Sequence, residues 1–508
     1  MKRTVTGFLL LMLVICLGSA PQSGLRAEIR DYGKYLEESV FTTSLSNGIK
    51  VILLNRGYTP TLALNISFKV GSVEESYRTM GVAHLLEHML FKGTDRIGTR
   101  DYKKEKKIMD RIEAIGSTLD ILRLRNPRNE RIPVLEKKLK ALEKEQDQYI
   151  INSPYDKIYS SEGGVGLNAS TSRDKTEYYV ELPASRLELW ASLESERLRN
   201  PVLRQFYLER DAVLEERLRS YDSNGVSALF EKFIAEAFIA HPYRHPIIGW
   251  QSNIRTLSIT DVRRFYNSHY IPSRMTITIV GRQDTAKTLK ILQKYFGPME
   301  RYPGPPDVTV VEPAQKGERR FELKFEANPY LVIGWHKPTS PSRDDYVCDV
   351  IAELLAGGRS SRLYKTLVLE KKIASTIGSW NGFPGARYDN LFVITAAPRK
   401  GQDLSSLEQG IYDELERLKK DLRQEELDRV LNRMEASFIF DLDSNKGVAG
   451  LLSYYQTVLG DWHYVTGYLK ILKSVSRQDV REAIDRYLIK DNRTVGYLIN
   501  IRDSRKPR

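Results

Sequence analysis

The chain has 508 residues, of which 41% are hydrophobic and 28% charged. That length allows two or three domains, and the mix is that of a soluble globular protein whose core needs neither a disulfide nor a structural metal to fold. The net charge is +13, but Lys and Arg are interleaved with Asp and Glu nearly everywhere. With no nucleic-acid motif, this reads as a solvated basic surface, open to acidic peptides or an anionic membrane, and not as a nucleic-acid partner.

The first twenty residues stand apart. Lys2 and Arg3 precede the apolar run from Gly7 to Leu17, and Gly18-Ser19-Ala20 offers small residues at a cleavage position. This order reads as a signal peptide over residues 1–20. The run is short for a bilayer span, and no later segment is apolar enough to be one, so an exported chain without an integral span is expected. The periplasm is the expected compartment, with membrane association left open. Removing Lys2 and Arg3 leaves 76 − 65 = +11. Only Cys16 and Cys348 are present; Cys348 lies in an apolar helical stretch and reads as a packing residue.

Asn47-Gly48 between two apolar runs predicts a hairpin. Leu62 to Val70 alternates as a half-buried strand does, and a helix is expected from about Val82 to Phe91. Val165–Thr171 and Thr176–Leu182 read as strands, helices dominate from Ala184 to Ala240, and Met275–Val280 returns to strand. Ser258 to Asp261 opens a capped helix that leads into that strand. Ser476 to Asp479 does the same before Thr494–Ile499, 479 − 261 = 218 residues later. Two similar α/β halves are therefore expected, at 30–301 and 319–502, joined by a Pro-rich linker at 302–318. A highly charged segment, about 103–158, reads as a helical hairpin inserted in the first domain, interrupted by Asn126-Pro127 and Pro133. Its charges suit a solvated face, and a partner could lie along it.

The motif His84-Leu85-Leu86-Glu87-His88 falls within the predicted helix. Positions i, i+3 and i+4 share a face, so both imidazoles and the Glu87 carboxylate point the same way. Two neutral imidazoles suit zinc, which in a catalytic site takes three protein ligands and keeps a place for water. A neighbouring carboxylate can take a proton from that water and return it to a leaving amine. A third ligand should come from another helix, and Leu208 to Ser220 offers Glu209, Glu215 and Glu216. His241 and His245 each precede a proline, which argues for loop geometry, and Gly357-Gly358 reads as a helix end.

The inverted order of this motif resembles that of the inverzincins, the pitrilysin, insulysin and mitochondrial processing peptidase family. Gly81 to Thr94 (GVAHLLEHMLFKGT) is similar to the family's zinc helix. Glu209 to Arg217 (ERDAVLEER) resembles its third-ligand helix, which implies His84, His88 and Glu216 as zinc ligands, Glu87 as general base and Glu209 as a further catalytic acidic residue. Asn168-Ala169-Ser170-Thr171 resembles the strand beside bound substrate, which implies Asn168, Ala169 and Ser170 as substrate-binding residues. The resemblance runs from about Phe41 to Ile499 and implies an α+β fold of two tandem homologous α/β-roll domains, in agreement with the internal repeat.

There are two departures. The gap from His88 to Glu216 is 216 − 88 = 128 residues, about fifty more than usual, an excess that the charged hairpin accounts for. The second lies after Gly357-Gly358-Arg359-Ser360-Ser361-Arg362-Leu363-Tyr364. Active members there carry an Arg and a Tyr that grip the substrate carbonyl, whereas this chain has Val368 and Ser375. The resemblance thus implies a zinc endopeptidase acting on unfolded peptides or short proteins, as the metal-bearing half of a heterodimer whose homologous partner supplies the Arg–Tyr pair. The rival is a non-catalytic assembly subunit of the same fold.

Overall fold

The computed structural model describes residues 32–57 and 59–502; the expected signal peptide and Cys16 lie outside them. The first half builds a six-stranded sheet in the order β1-β2-β6-β3-β5-β4. Its strands are β1 (Val40–Ser44), β2 (Lys50–Asn55), β3 (Thr61–Phe68), β4 (Val165–Thr171), β5 (Thr176–Pro183) and β6 (Met275–Gly281). The second half builds a five-stranded sheet, β7-β11-β8-β10-β9, from β7 (Arg319–Phe325), β8 (Tyr330–Lys337), β9 (Ala374–Phe383), β10 (Asn390–Pro398) and β11 (Arg493–Asn500).

The duplication is visible in these orders. In each half the last strand in the chain inserts between the first two of the repeat, β6 between β2 and β3 and β11 between β7 and β8. It runs parallel to one neighbour and antiparallel to the other. The helices feeding these strands, Ile259–His269 and Arg477–Tyr487, begin with the same box. Ser258 accepts from the Asp261 amide and Ser476 from the Asp479 amide, while each aspartate reaches back to its serine's amide. Two free first-turn donors are satisfied at each start.

The hairpin forms as expected. Gly48 takes φ +97° at the turn, and the Asn47 side chain donates to the carbonyls of Phe296 (2.9 Å) and Met299 (3.1 Å).

The half-buried reading of β3 is corrected, because its residues from Leu62 to Phe68 are all buried. Leu62, Leu64, Ile66 and Phe68 join the first half's core. On the other face, the helix Asn445–Tyr454 of the second half lies across β3 and β6. Ala63 packs there with Val448 and Leu452, and the Ser453 hydroxyl donates to Asn65 (3.0 Å). A sheet covered on both faces loses its alternation.

The charged insertion is a hairpin of helices Tyr102–Arg125 and Arg131–Gln146. Asn126-Pro127 makes its turn. Pro133, read from the sequence as an interruption, sits in the first turn of the second helix, where its missing N–H costs no helical bond. The inner face is docked on the chain's own first half. Ile108, Ile112 and Leu142 enter its core, Arg204 pairs with Glu105 (2.8 Å) with both side chains almost fully buried, and Arg210 forks onto Asp120 (2.8 and 2.9 Å). Among the described residues, no helix is long and apolar enough to cross a membrane.

Candidate metal centre

The motif helix, Val82–Leu90, follows Gly81, whose φ of +89° turns the chain into it. Val82, Ala83, Leu85, Leu86, Met89 and Leu90 are buried, and that apolar stripe fixes the helix's rotation, turning His84, Glu87 and His88 to the remaining face. At the start of the helix Glu75 accepts from Gly81 N and Ala83 N, both at 2.8 Å.

Across from this face runs the helix Phe206–Arg217. Its Glu216 Oε2 lies 3.8 Å from Nε2 of His84 and 3.8 Å from Nε2 of His88. The three residues offer ligand atoms all within 4.8 Å of one another and are the one group of this kind among the described residues. Tetrahedral zinc with ligands at 2.0–2.2 Å spaces them about 3.4 Å apart, so a small closure would seat an ion. The chemistry of the donors agrees. Burial, helped by His88, pushes the His84 imidazole down to about 4, which leaves it neutral, and its Nδ1 is buried without a hydrogen-bond partner.

His88 is oriented from behind. Its Nδ1 stands 3.5 Å from Oε2 of Glu209, which also pairs with Lys92. Burial pushes the His88 imidazole down, but the Glu209 bond and the charges of Glu87, Glu209 and Glu216 outweigh it and raise it overall. For Glu209, burial is likewise outweighed by His88 and Lys92, and its carboxyl is lowered. Such a partner fixes the ring and leaves the other nitrogen for a metal.

Glu87 accepts a 2.5 Å hydrogen bond from the Thr171 hydroxyl, and burial raises its carboxyl above the usual range. Thr171 ends β4, the outermost strand of the first sheet. Along that strand the Ala169 side chain is buried, Asn168 Oδ1 accepts from the Ala169 amide (2.9 Å), and Ser170 donates to Glu177 (3.1 Å). The sequence places Thr171 only at the end of the substrate-strand motif and does not single out Glu75; their three-dimensional neighbours give both their roles.

His241 and His245 are not brought to this cluster. His241 Nδ1 accepts from the Tyr243 amide. In the second half Val368 is buried in the core, and the Ser375 hydroxyl donates to the carbonyls of Ala397 (3.1 Å) and Pro398 (3.2 Å).

A duplicated α+β fold with an inverted two-histidine helix in its first half defines a class that comparison with known proteins makes specific. The chain belongs to the M16 peptidase family: residues 50–123 and 155–250 match the model for insulinase (peptidase family M16), and residues 256–434 match that for the peptidase M16 inactive domain. The unmatched stretch 124–154 falls in the inserted hairpin. The chain is 26% identical over 465 residues to the zinc protease PqqE of Helicobacter pylori, covering 90% of this chain and 92% of that one. It is 22% identical over 488 residues to the mitochondrial-processing peptidase subunit beta of Lentinula edodes, covering 92% and 91%. Among solved structures, a protease from Helicobacter pylori superposes with a TM-score of 0.76 at 25% identity, covering 91% of this chain and 99% of that one. The periplasmic protease PqqL from Escherichia coli gives 0.68 at 16% identity, covering 92% of this chain and 48% of that one.

Proposed function

We propose that the chain is a zinc-dependent endopeptidase that cuts extended peptides or short unfolded proteins. The observation that carries this is the meeting of His84, His88 and Glu216 beside a Glu87 that is itself held by the end of an outermost strand. In this reading the metal-bearing domain is 30–301 and its homologue without metal is 319–502.

Zinc held by His84, His88 and Glu216 would supply a Lewis acid that acidifies water and polarises the scissile carbonyl. Glu87 takes the proton of the attacking water and hands it to the leaving amine; burial raises its carboxyl and so strengthens it as the base of the first transfer. Glu209 acts in this reading as a positioning residue on His88, in place of the catalytic role expected from the sequence. A peptide adds beside β4 along Asn168, Ala169 and Ser170, so that backbone hydrogen bonds give affinity with loose side-chain selectivity.

The negative charge developing on the carbonyl oxygen needs fixed donors. Val368 is apolar, and Ser375 is engaged with its own sheet. We infer that a homologous partner subunit supplies the Arg–Tyr pair, in the exported compartment that the first twenty residues point to.

The test is turnover of a quenched peptide library by the chain alone and mixed with its candidate partner, together with zinc analysis. Glu87→Gln should keep about one zinc per chain and lose turnover. A stable native protein that takes up no zinc would favour the assembly-subunit reading. Full activity of the chain alone, unchanged by the partner, would remove the heterodimer.

A further inference from the structure

The turn between β9 and β10 belongs to the second half, yet it is built into the approach to the metal centre. Asp174, at the tip of the β4–β5 hairpin, is 5% exposed. Its Oδ2 accepts from the Ala386 amide (2.7 Å) and its Oδ1 from the Tyr243 hydroxyl (2.6 Å). That hydroxyl already accepts from the amides of Arg387 (3.1 Å) and Tyr388 (3.2 Å), so its own proton is left for Asp174, and the arrangement needs an acceptor on both carboxyl oxygens. Gly385 closes the joint, since a Cβ there would fall 2.6 Å from both Asp174 Oδ2 and the Tyr243 hydroxyl.

The same turn grips the segment leading into the motif helix. Arg387 pairs with Glu74 (2.5 Å), and both side chains are almost fully buried. Glu74 also accepts from the Gly71 amide (2.8 Å), and the next residue is Glu75, which caps the motif helix. The amides of Ser72 and Val73 donate to the carbonyls of Ser172 and Arg173, both at 3.1 Å, joining this segment to the hairpin tip that carries Asp174.

We propose that the Phe383–Tyr388 turn is a positioning element for the metal centre: through Asp174 and Arg387 it sets the hairpin tip and the approach to the motif helix together, and so sets the hydrogen bond from Thr171 to Glu87. Thr171 lies three residues before Asp174, and Glu87 lies on the helix that Glu75 caps. Both sides of the catalytic contact are thereby referred to one turn of the half that bears no metal. The proposal rests on the peptidase reading of the site.

The experiment is Asp174→Asn in the full chain, with the partner subunit if turnover requires it. The amide nitrogen must face either the Ala386 and Arg387 amides or the Tyr243 hydroxyl, so one side of the joint opens. Hydrogen exchange over residues 165–176 should quicken tenfold or more while the second sheet is unchanged. Zinc should stay near one per chain, and kcat should fall at least tenfold with KM within threefold. Adding Thr171→Val should then cost little more, because the bond is already misplaced. Unchanged exchange over 165–176, or kcat losses that multiply independently, would overturn the proposal. If Asp174→Asn does not fold, Arg387→Lys, which keeps the charge but lacks the two nitrogens that hold Glu74 and Asp307 together, is read by the same criteria. If the parent enzyme shows no turnover, the peptidase reading fails, and exchange over 165–176 decides the clamp by itself.

Discussion

The Thr171 hydroxyl, at the end of β4, donates a 2.5 Å hydrogen bond to Oε2 of Glu87 on the motif helix. It joins the strand along which substrate would lie to the group that would move the proton. Burial raises the Glu87 carboxyl, and the Thr171 bond is the largest influence in the other direction.

Thr171→Val keeps the shape of the side chain and removes the donor. A hydrogen bond to a charged group contributes about 1.5–3 kcal/mol, so kcat should fall roughly ten- to hundredfold at neutral pH with zinc content unchanged. Steady-state kinetics beside elemental analysis read both quantities, and an unchanged kcat would remove Thr171 from the machinery.

Glu209→Gln tests the positioning role. The imidazole of His88 loses its anionic partner and Lys92 its counter-charge, while all three ligands remain. Zinc affinity should drop about 10–100-fold, the range for loss of such a partner. Competition with a chelator measures it, and native affinity would leave Glu209 a bystander.

Gly116→Ala probes the inserted hairpin. A Cβ at Gly116 would lie 2.0 Å from the Tyr207 ring, so the hairpin must shift away from the helix that carries Glu216. Overpacking of this kind costs about 1–3 kcal/mol. The thermal midpoint should fall by a few degrees, read by calorimetry.

Asp349→Asn predicts a pH-dependent gain. Burial, then the charge of Asp345, pushes the Asp349 carboxyl up to about 7 from an ordinary 3.8. Between those values the folded protein holds a proton that the unfolded chain has released. Stability therefore falls as pH rises through that window and is level above it. The variant stays neutral throughout. It should be more stable than the parent at pH 8, on the order of 2 kcal/mol after allowing for residual solvent contact, and the difference should fade toward pH 4. Denaturant titrations at the two pH values check it; equal stabilities at pH 8 would contradict the sign.

Much of this molecule is local, and local features are legible in a sequence. Asn47-Gly48 specifies a turn through backbone geometry, Ser258 and Ser476 cap helices through atoms three residues away, and His84, Glu87 and His88 share a face because helical spacing dictates it. The 218-residue repeat and the family-like segments imply two α+β halves. The sequence could not show that β3 is covered on both faces, because the second cover is a helix almost four hundred residues later. Nor could composition tell which side of the charged hairpin is dry.

What the sequence by itself determined is the inventory: the inverted histidine motif, the candidate carboxylates, the duplicated order of elements, and Val368 and Ser375 at the positions where the family resemblance implies an Arg and a Tyr. Only the tertiary structure decided that Glu216, the ligand the family resemblance implies, stands against both imidazole Nε2 atoms, that Glu209 faces the other nitrogen of His88, and that Thr171 reaches Glu87. It also decided that Glu74, Asp174 and Arg387 belong to one joint. These are contacts between residues 84, 128 and 213 positions apart, as for Glu87 with Thr171, His88 with Glu216 and Asp174 with Arg387. They exist because burying apolar faces brings distant segments together, a force proportional to area that carries no label of sequence position.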